Sequence, residues 1–207
     1  DEELSTYACE EKISPMNIKD QVAVITGAAG GIGQAVAVEL TNRGIKGLAL
    51  VDGVEAVDDL AAKLNKVAGR DLATGYRGDV TDAAFRHQVY QDSRQKHGPA
   101  TICIPAAGIT RDSLSVKIDK ETGKAIIYSV EKFRQVTEIN LIAPAYWALE
   151  MVAGIAEDRK EKGLKKWDPK EGIQGVTDAA FRHQVYQDSR QKHGPATICI
   201  PAAGITR

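Results

Sequence analysis

Two kinds of apolar pattern alternate along the chain before residue 105. Val22-Ala23-Val24-Ile25, Gly47-Leu48-Ala49-Leu50-Val51 and the segment 100–104 are short, nearly unbroken apolar runs, as expected of strands covered on both faces. A shorter run at 73–77 makes a fourth strand. Between these runs the apolar positions recur at helical spacing. One such segment covers 34–43 and stops at Gly44; another carries Val57, Leu60, Ala61, Leu64 and Val67 and stops at Gly69. A third follows Gly78-Asp79-Val80-Thr81-Asp82, with Thr81 the expected N-cap and Ala84, Phe85, Val89 and Tyr90 its apolar contacts. Strand and helix in strict alternation predict an α/β fold: a doubly wound parallel sheet in three α/β/α layers.

Beyond the fourth strand the period changes. Val116-Lys117-Ile118-Asp119 and Lys124-Ala125-Ile126-Ile127-Tyr128 alternate on either side of Gly123, a β-hairpin signal. A long helix is then expected from about Val130. It carries Phe133, Val136, Ile139 and Leu141, has a possible break at Pro144, and continues through Trp147, Leu149 and Met151 to the charged stretch after Glu157. Residues 1–15 are polar and acidic and read as an N-terminal extension; 16–175 form the expected domain. Residues 176–207 repeat 80–111 without one substitution, thirty-two positions in all. Solenoid repeats diverge and recur at short periods, so this single identical copy is read as something other than an evolved, stacked repeat: a very recent duplication, an artificially introduced copy or an error in the sequence.

The candidate chemistry starts where the first strand ends, at Thr26-Gly27-Ala28-Ala29-Gly30-Gly31-Ile32-Gly33. A buried strand entering a glycine turn and then a helix brings unpaired backbone N–H groups, and the positive end of the helix dipole, up to a pyrophosphate. Gly27 permits the turn, Gly31 lets phosphate approach the backbone, and Gly33 lets the helix sit close on the sheet. Asp52, nineteen residues after Gly33 at the end of the second strand, stands where a dinucleotide site needs a carboxylate for the ribose hydroxyls.

The spacing Thr-Gly-x-x-x-Gly-x-Gly resembles the short-chain dehydrogenase/reductase family. Asp79-Val80, Ala107-Gly108-Ile109-Thr110 and Asn140-Leu141 follow in that family's order, and the resemblance covers residues 16–159. It implies a Rossmann-like domain that binds a nicotinamide cofactor through Thr26, Gly27, Ala29, Gly31, Ile32, Gly33, Asp52, Asp79, Val80, Ala106, Ala107 and Gly108. Asp79 would meet the adenine edge; as a plain residue it would cap the strand end. Asn140 would hold a water in a proton relay. Pro105 and Ala106 stand where the family usually has two Asn. The implied reaction interconverts a ketone and a secondary alcohol, with a 3-oxoacyl, 3-hydroxyacyl or hydroxysteroid-like substrate, usually in a homo-oligomer. NAD is expected over NADP, because Asp52 would repel a 2′-phosphate and Ala28-Ala29-Gly30 offers no cation.

The family's Ser and Tyr-x-x-x-Lys would follow Gly172-Ile173-Gln174-Gly175, where the duplicate stands instead, so the C-terminal part reads as truncated or replaced. Ser115, Tyr128 and Lys132 match the spacing but precede Asn140, and Tyr128 is expected on a hairpin strand, so the set reads as a decoy. A nucleotide-binding module without turnover is therefore the alternative to an active oxidoreductase.

Composition narrows the partners. A net charge of −1 over 207 residues offers no basic footprint for nucleic acid or anionic membrane. The apolar segment 143–156 is broken by Glu150, so no membrane span is expected, and Asp1-Glu2-Glu3 does not resemble the start of a signal peptide. Cys9, Cys103 and Cys199 lack metal spacing and read as reduced thiols of a cytoplasmic protein. His87, His97 and their copies read as helix-surface and helix-end residues, and no metal is expected.

Overall fold

The computed structural model describes residues 18–163. The extension 1–15 and the duplicate 176–207 lie outside the described residues. Four parallel strands, β1 (Val22–Thr26), β2 (Gly47–Asp52), β3 (Ala73–Arg77) and β4 (Ile102–Pro105), lie in the order β3-β2-β1-β4. Winding runs outward from β1 to β3 on one side and then reverses to β4 on the other, as expected of the doubly wound sheet. Helices α1 (Gly31–Asn42), α2 (Ala56–Ala68) and α3 (Ala83–His97) connect the strands.

Each strand supplies two cores because both faces are covered. Ala23, Ile25, Leu48 and Leu50 face α1 and α2, packing with Ala37, Leu40, Val57, Leu60 and Leu64. Val22, Val24, Ala49 and Val51 face the other way, with Val89, Ala143 and Trp147. This explains why the runs read as unbroken: the period of two is present, but both phases are apolar. Asn65, near the end of α2, accepts from the amides of Leu72 and Ala73 and donates to the Ala73 carbonyl, fixing where β3 begins.

Local chemistry moves several expected boundaries. The N-cap of α3 is Asp82, not Thr81: the Asp82 carboxylate accepts from Ala84 N at 2.8 Å and Phe85 N at 3.2 Å, while the Thr81 hydroxyl turns back to donate to Asp79. α1 starts at Gly31, inside the glycine turn, instead of at Gln34, whose N–H already bonds the Gly30 carbonyl. β4 is displaced by its pairing with β1, ending at Pro105. Val67, expected on the apolar face of α2, is exposed.

After β4 the expected hairpin forms from β5 (Val116–Ile118) and β6 (Ala125–Ile127), with Gly123 at φ 67° in its turn. The long helix runs as α4 (Val130–Thr137), a π-helical turn (Glu138–Ile142) and α5 (Ala143–Glu161). Pro144 does not break it. An α-helix would require Pro144 to donate to the Asn140 carbonyl, and proline has no N–H; the chain widens just before it, with Ala143 N donating to Glu138 O, five residues back.

Within this helix, Trp147 is fully buried and donates Nε1–H to the Val80 carbonyl at 2.9 Å; its own carbonyl accepts from the Tyr90 hydroxyl at 2.6 Å. Truncating such a side chain to Ala costs about 3–5 kcal/mol. Phe133, Leu141 and Leu149, expected on the apolar face, are instead exposed. The continuous stretch Val130–Glu161 is, by length and composition, long and apolar enough to cross a membrane, contrary to the expectation from 143–156. Trp147 nevertheless packs on the sheet, and Glu150 accepts from Arg86 Nε at 2.7 Å and bonds the His87 ring at 2.8 Å, so this helix is a layer of the α/β fold.

Candidate functional site

Parallel strands bring their C-terminal ends to one edge of the sheet, and the loops leaving them here enclose a cavity of about 690 Å³. Gly27 and Gly30 line it from the glycine turn, Asp52 and Gly53 from the end of β2, and Arg77, Gly78, Asp79 and Val80 from the end of β3. The far wall is Ala106, Ala107, Gly108 and Ile109, after β4, with Ile139 from the π-helical turn.

The glycines divide the work differently from one another. Gly27 has φ 65°, and a Cβ there would stand 2.6 Å from Ala107 N and 2.7 Å from the Ala106 carbonyl; it admits the β4 loop as well as the turn. Buried Thr26 completes that contact, accepting Ala106 N at its carbonyl and Ala107 N at Oγ1. A Cβ on Gly33 would collide with the Gly27 carbonyl, so its tight contact is with the glycine turn. A Cβ on Gly31 would meet nothing within 4 Å outside its chain neighbours and its own helix backbone. Gly31 opens α1 beside exposed Ile32, where the first N–H groups have no helical acceptor.

Asp52 is held before any ligand arrives. Its Oδ2 accepts from Ala29 N at 2.9 Å and its Oδ1 from Val54 N at 3.4 Å. Asp79 Oδ1 accepts the amide and hydroxyl of Thr81, the strand-end capping read from the sequence, while the residue also lines the cavity. Asn140 does not line the cavity but secures its wall: Oδ1 accepts from Ile109 N at 2.9 Å, and Nδ2 donates to Ile109 O at 2.8 Å. With open space at Gly31, a helix N-terminus beside it and a carboxylate beyond, the residues present fit a dinucleotide's pyrophosphate and ribose.

Gly27, Asp52, Asp79, Val80, Ala106, Ala107 and Gly108 are thus brought together, with Thr26, Ala29, Gly31, Ile32 and Gly33 framing them. Gly30, Gly53, Arg77, Gly78, Ile109 and Ile139 also line the cavity and lie outside the expected set. Arg77 is legible only once β2 and β3 are set in register, because it stands opposite Asp52.

Ser115, Tyr128 and Lys132 lie away from this cavity. Tyr128 follows β6 by one residue instead of lying on the strand; its amide bonds the Ser115 carbonyl and its hydroxyl the Arg111 carbonyl at 2.7 Å. Tyr128 and Lys132 border a separate hollow of about 140 Å³. The Tyr76 and Tyr90 hydroxyls are pushed well above the usual phenol range, first by burial. Asp92 adds to the effect at Tyr76 and Cys103 at Tyr90, which is opposite to what proton exchange near neutral pH requires. Burial likewise raises the Cys103 thiol. Among the described residues no group of three or more His, Cys, Asp or Glu is placed to hold a metal.

Comparison with known proteins agrees with this geometry. The sequence model of the short chain dehydrogenase family matches residues 21–163, which include every cavity residue. The 3-oxoacyl-[acyl-carrier-protein] reductase FabG of Escherichia coli (strain K12) is 33% identical over 115 residues, 54% of this chain and 44% of the relative. The FabG of Thermotoga maritima is 32% identical over 112 residues, 54% of this chain and 45% of the relative. Human dehydrogenase/reductase SDR family member 11 is 32% identical over 93 residues, 45% of this chain and 36% of the relative. The chain thus spans less than half the length of these relatives. With the family match covering more than half of the chain and the glycine turn, Asp52 and the β4 loop meeting around one cavity, the chain belongs to the short chain dehydrogenase family.

Proposed function

We propose that the protein is an NAD-dependent oxidoreductase interconverting a ketone and a secondary alcohol, with a 3-oxoacyl, 3-hydroxyacyl or hydroxysteroid-like substrate. The observation that carries this reading is the cavity at the ends of the parallel strands, lined by Gly27 and Gly30 of the glycine turn and by Asp52, with Gly31 next to Gly30 leaving open the space a Cβ would take. A bound nicotinamide would supply the hydride donor or acceptor.

The chain's own residues do the holding. First-turn N–H groups at Gly31 and Ile32 bind the pyrophosphate, and Asp52 accepts from the ribose hydroxyls while Ala29 fixes its orientation. Asp79 meets the adenine edge, with Val80 beside it. Ala106, Ala107 and Gly108 form the wall along the nicotinamide half, held in place by Asn140 through Ile109. We assign Asn140 this positioning role in addition to the proton-relay role that the resemblance implies. Asp52 also sets the preference for NAD, since a carboxylate there repels a 2′-phosphate. The FabG relatives are by name 3-oxoacyl reductases, which makes acyl thioesters the first substrates to try.

NADH should bind more tightly than NADPH in a fluorescence titration, and NADH should be oxidised when an acetoacetyl thioester is added. Binding without oxidation on any ketone tried would replace this reading with a nucleotide-binding module; absence of binding would overturn both.

A further inference from the structure

One end of the cavity holds a charge that the dinucleotide reading leaves without a task. Arg77, the last residue of β3, stands in register with Asp52 at the end of β2, and both line the cavity with Gly53 between strand and helix. The Asp52 carboxylate does not pair with it, being held by Ala29 N and Val54 N. The nearest acid across from the guanidinium is Glu55, at 3.9 Å, with side chains 58% and 85% exposed. An ion pair that long and that solvated holds its arginine weakly. An anion delivered beside Asp52 therefore meets a guanidinium it can recruit, and guanidinium is well suited to bind phosphate through paired N–H donors.

We propose that Arg77 is a second determinant of nucleotide choice, opposing Asp52: it attracts the 2′-phosphate that Asp52 repels, and Glu55 competes with that phosphate for it. The proposal rests on the dinucleotide reading of this cavity. It makes the preference between the two nucleotides the balance of three charges, Asp52, Arg77 and Glu55, so the discrimination is smaller than Asp52 alone would give. It also makes the weaker binding of the phosphorylated nucleotide sensitive to salt, because the groups concerned are exposed.

The test is binding of NADH, NADPH and 2′,5′-ADP by titration calorimetry, on the wild-type chain and on Arg77→Met and Glu55→Gln, with folding checked by circular dichroism. Arg77→Met should leave NADH affinity within about twofold and weaken NADPH and 2′,5′-ADP by about fivefold, the range of one solvent-exposed charge contact. Glu55→Gln should tighten the two phosphorylated ligands by about twofold to threefold and leave NADH alone. The same comparison in an Asp52→Asn background, where the repulsion is gone, keeps the Arg77 effect measurable if wild-type NADPH binding is weak. Equal weakening of all three ligands by Arg77→Met would overturn the proposal by placing Arg77 on the shared adenosine; no change in any of them would overturn it as well. Failure of the wild-type chain to bind NADH or NADPH would instead overturn the dinucleotide reading, and this inference with it.

Discussion

Placing a methyl group on Gly27 and on Gly31 separates the structural use of the glycine turn from its use toward a ligand. At Gly27 the backbone is left-handed, φ 65°, and the new Cβ would lie 2.6 Å from Ala107 N and 2.7 Å from the Ala106 carbonyl, backbone atoms that cannot swing away. The left-handed conformation costs a side chain about 1–2 kcal/mol and overpacking about 1–3 kcal/mol, so Gly27→Ala should cost about 2–5 kcal/mol. At about 2–4 °C per kcal/mol for a domain of this size, Tm should fall by about 4–20 °C. A Cβ on Gly31, which opens α1, would meet nothing within 4 Å outside its own helix, so Gly31→Ala should leave Tm unchanged or raise it by up to about 1 kcal/mol's worth of helix propensity. Gly31→Val should keep the fold yet abolish NADH binding, because its branches occupy the space the pyrophosphate needs. Thermal denaturation by circular dichroism, run beside an NADH fluorescence titration, reads both effects. Unimpaired NADH binding by Gly31→Val, or a smaller Tm loss in Gly27→Ala than in Gly31→Ala, would refute the division.

Asp52→Ala should narrow the preference for NADH over NADPH by about tenfold or more in the same titration, since it removes the charge facing the 2′ position. Asn140→Ala removes two exposed hydrogen bonds worth about 1–2 kcal/mol together. Hydrogen exchange at Ile109 should accelerate while NADH affinity stays within about twofold; a larger affinity loss would place Asn140 on the cofactor. His97 is held below the usual imidazole range, first by burial and then by Lys96, Arg70 and Lys46, with Asp71 opposing. The unfolded chain therefore takes up this proton more readily than the folded one. Stability should be complete above about pH 6.5 and fall as the pH drops below it, and urea midpoints across that range should flatten in His97→Gln.

How much of this was legible in the chain depended on how far apart the cooperating residues lie. Val22 to Ile25 and Gly47 to Val51 identified their own strands, because a strand covered on both faces is apolar at every position. The glycine turn and Asp52 were legible for a similar reason: their chemistry follows from residues close in sequence. Arg77 was not, since its place beside Asp52 comes from the β2–β3 register. Nor was the bonding of Asn140 to Ile109, thirty-one positions away, or the collision that a Cβ on Gly47 would make with the His97 ring. Phe133, Leu141 and Leu149 show the reverse failure: spacing identifies an apolar face but not what covers it. Pro144 reads as a possible break because the sequence shows its missing N–H but not the wider turn that accommodates it.

That wider turn holds one of two anchors of one rod. Asn140 and Trp147 are seven residues apart, and in an unmodified α-helix they would project within about 20° of each other. Asn140 bonds Ile109 in the loop after β4, and Trp147, buried in the core, bonds the Val80 carbonyl. One residue more than an α-helix would use for the same rise sets the second half of the helix back in phase, by up to about 100°. The aim of Asn140 and the seating of Trp147 are thus mechanically geared. Removing one residue between 138 and 142 would turn one of them away from its partner, however well the helix itself survived.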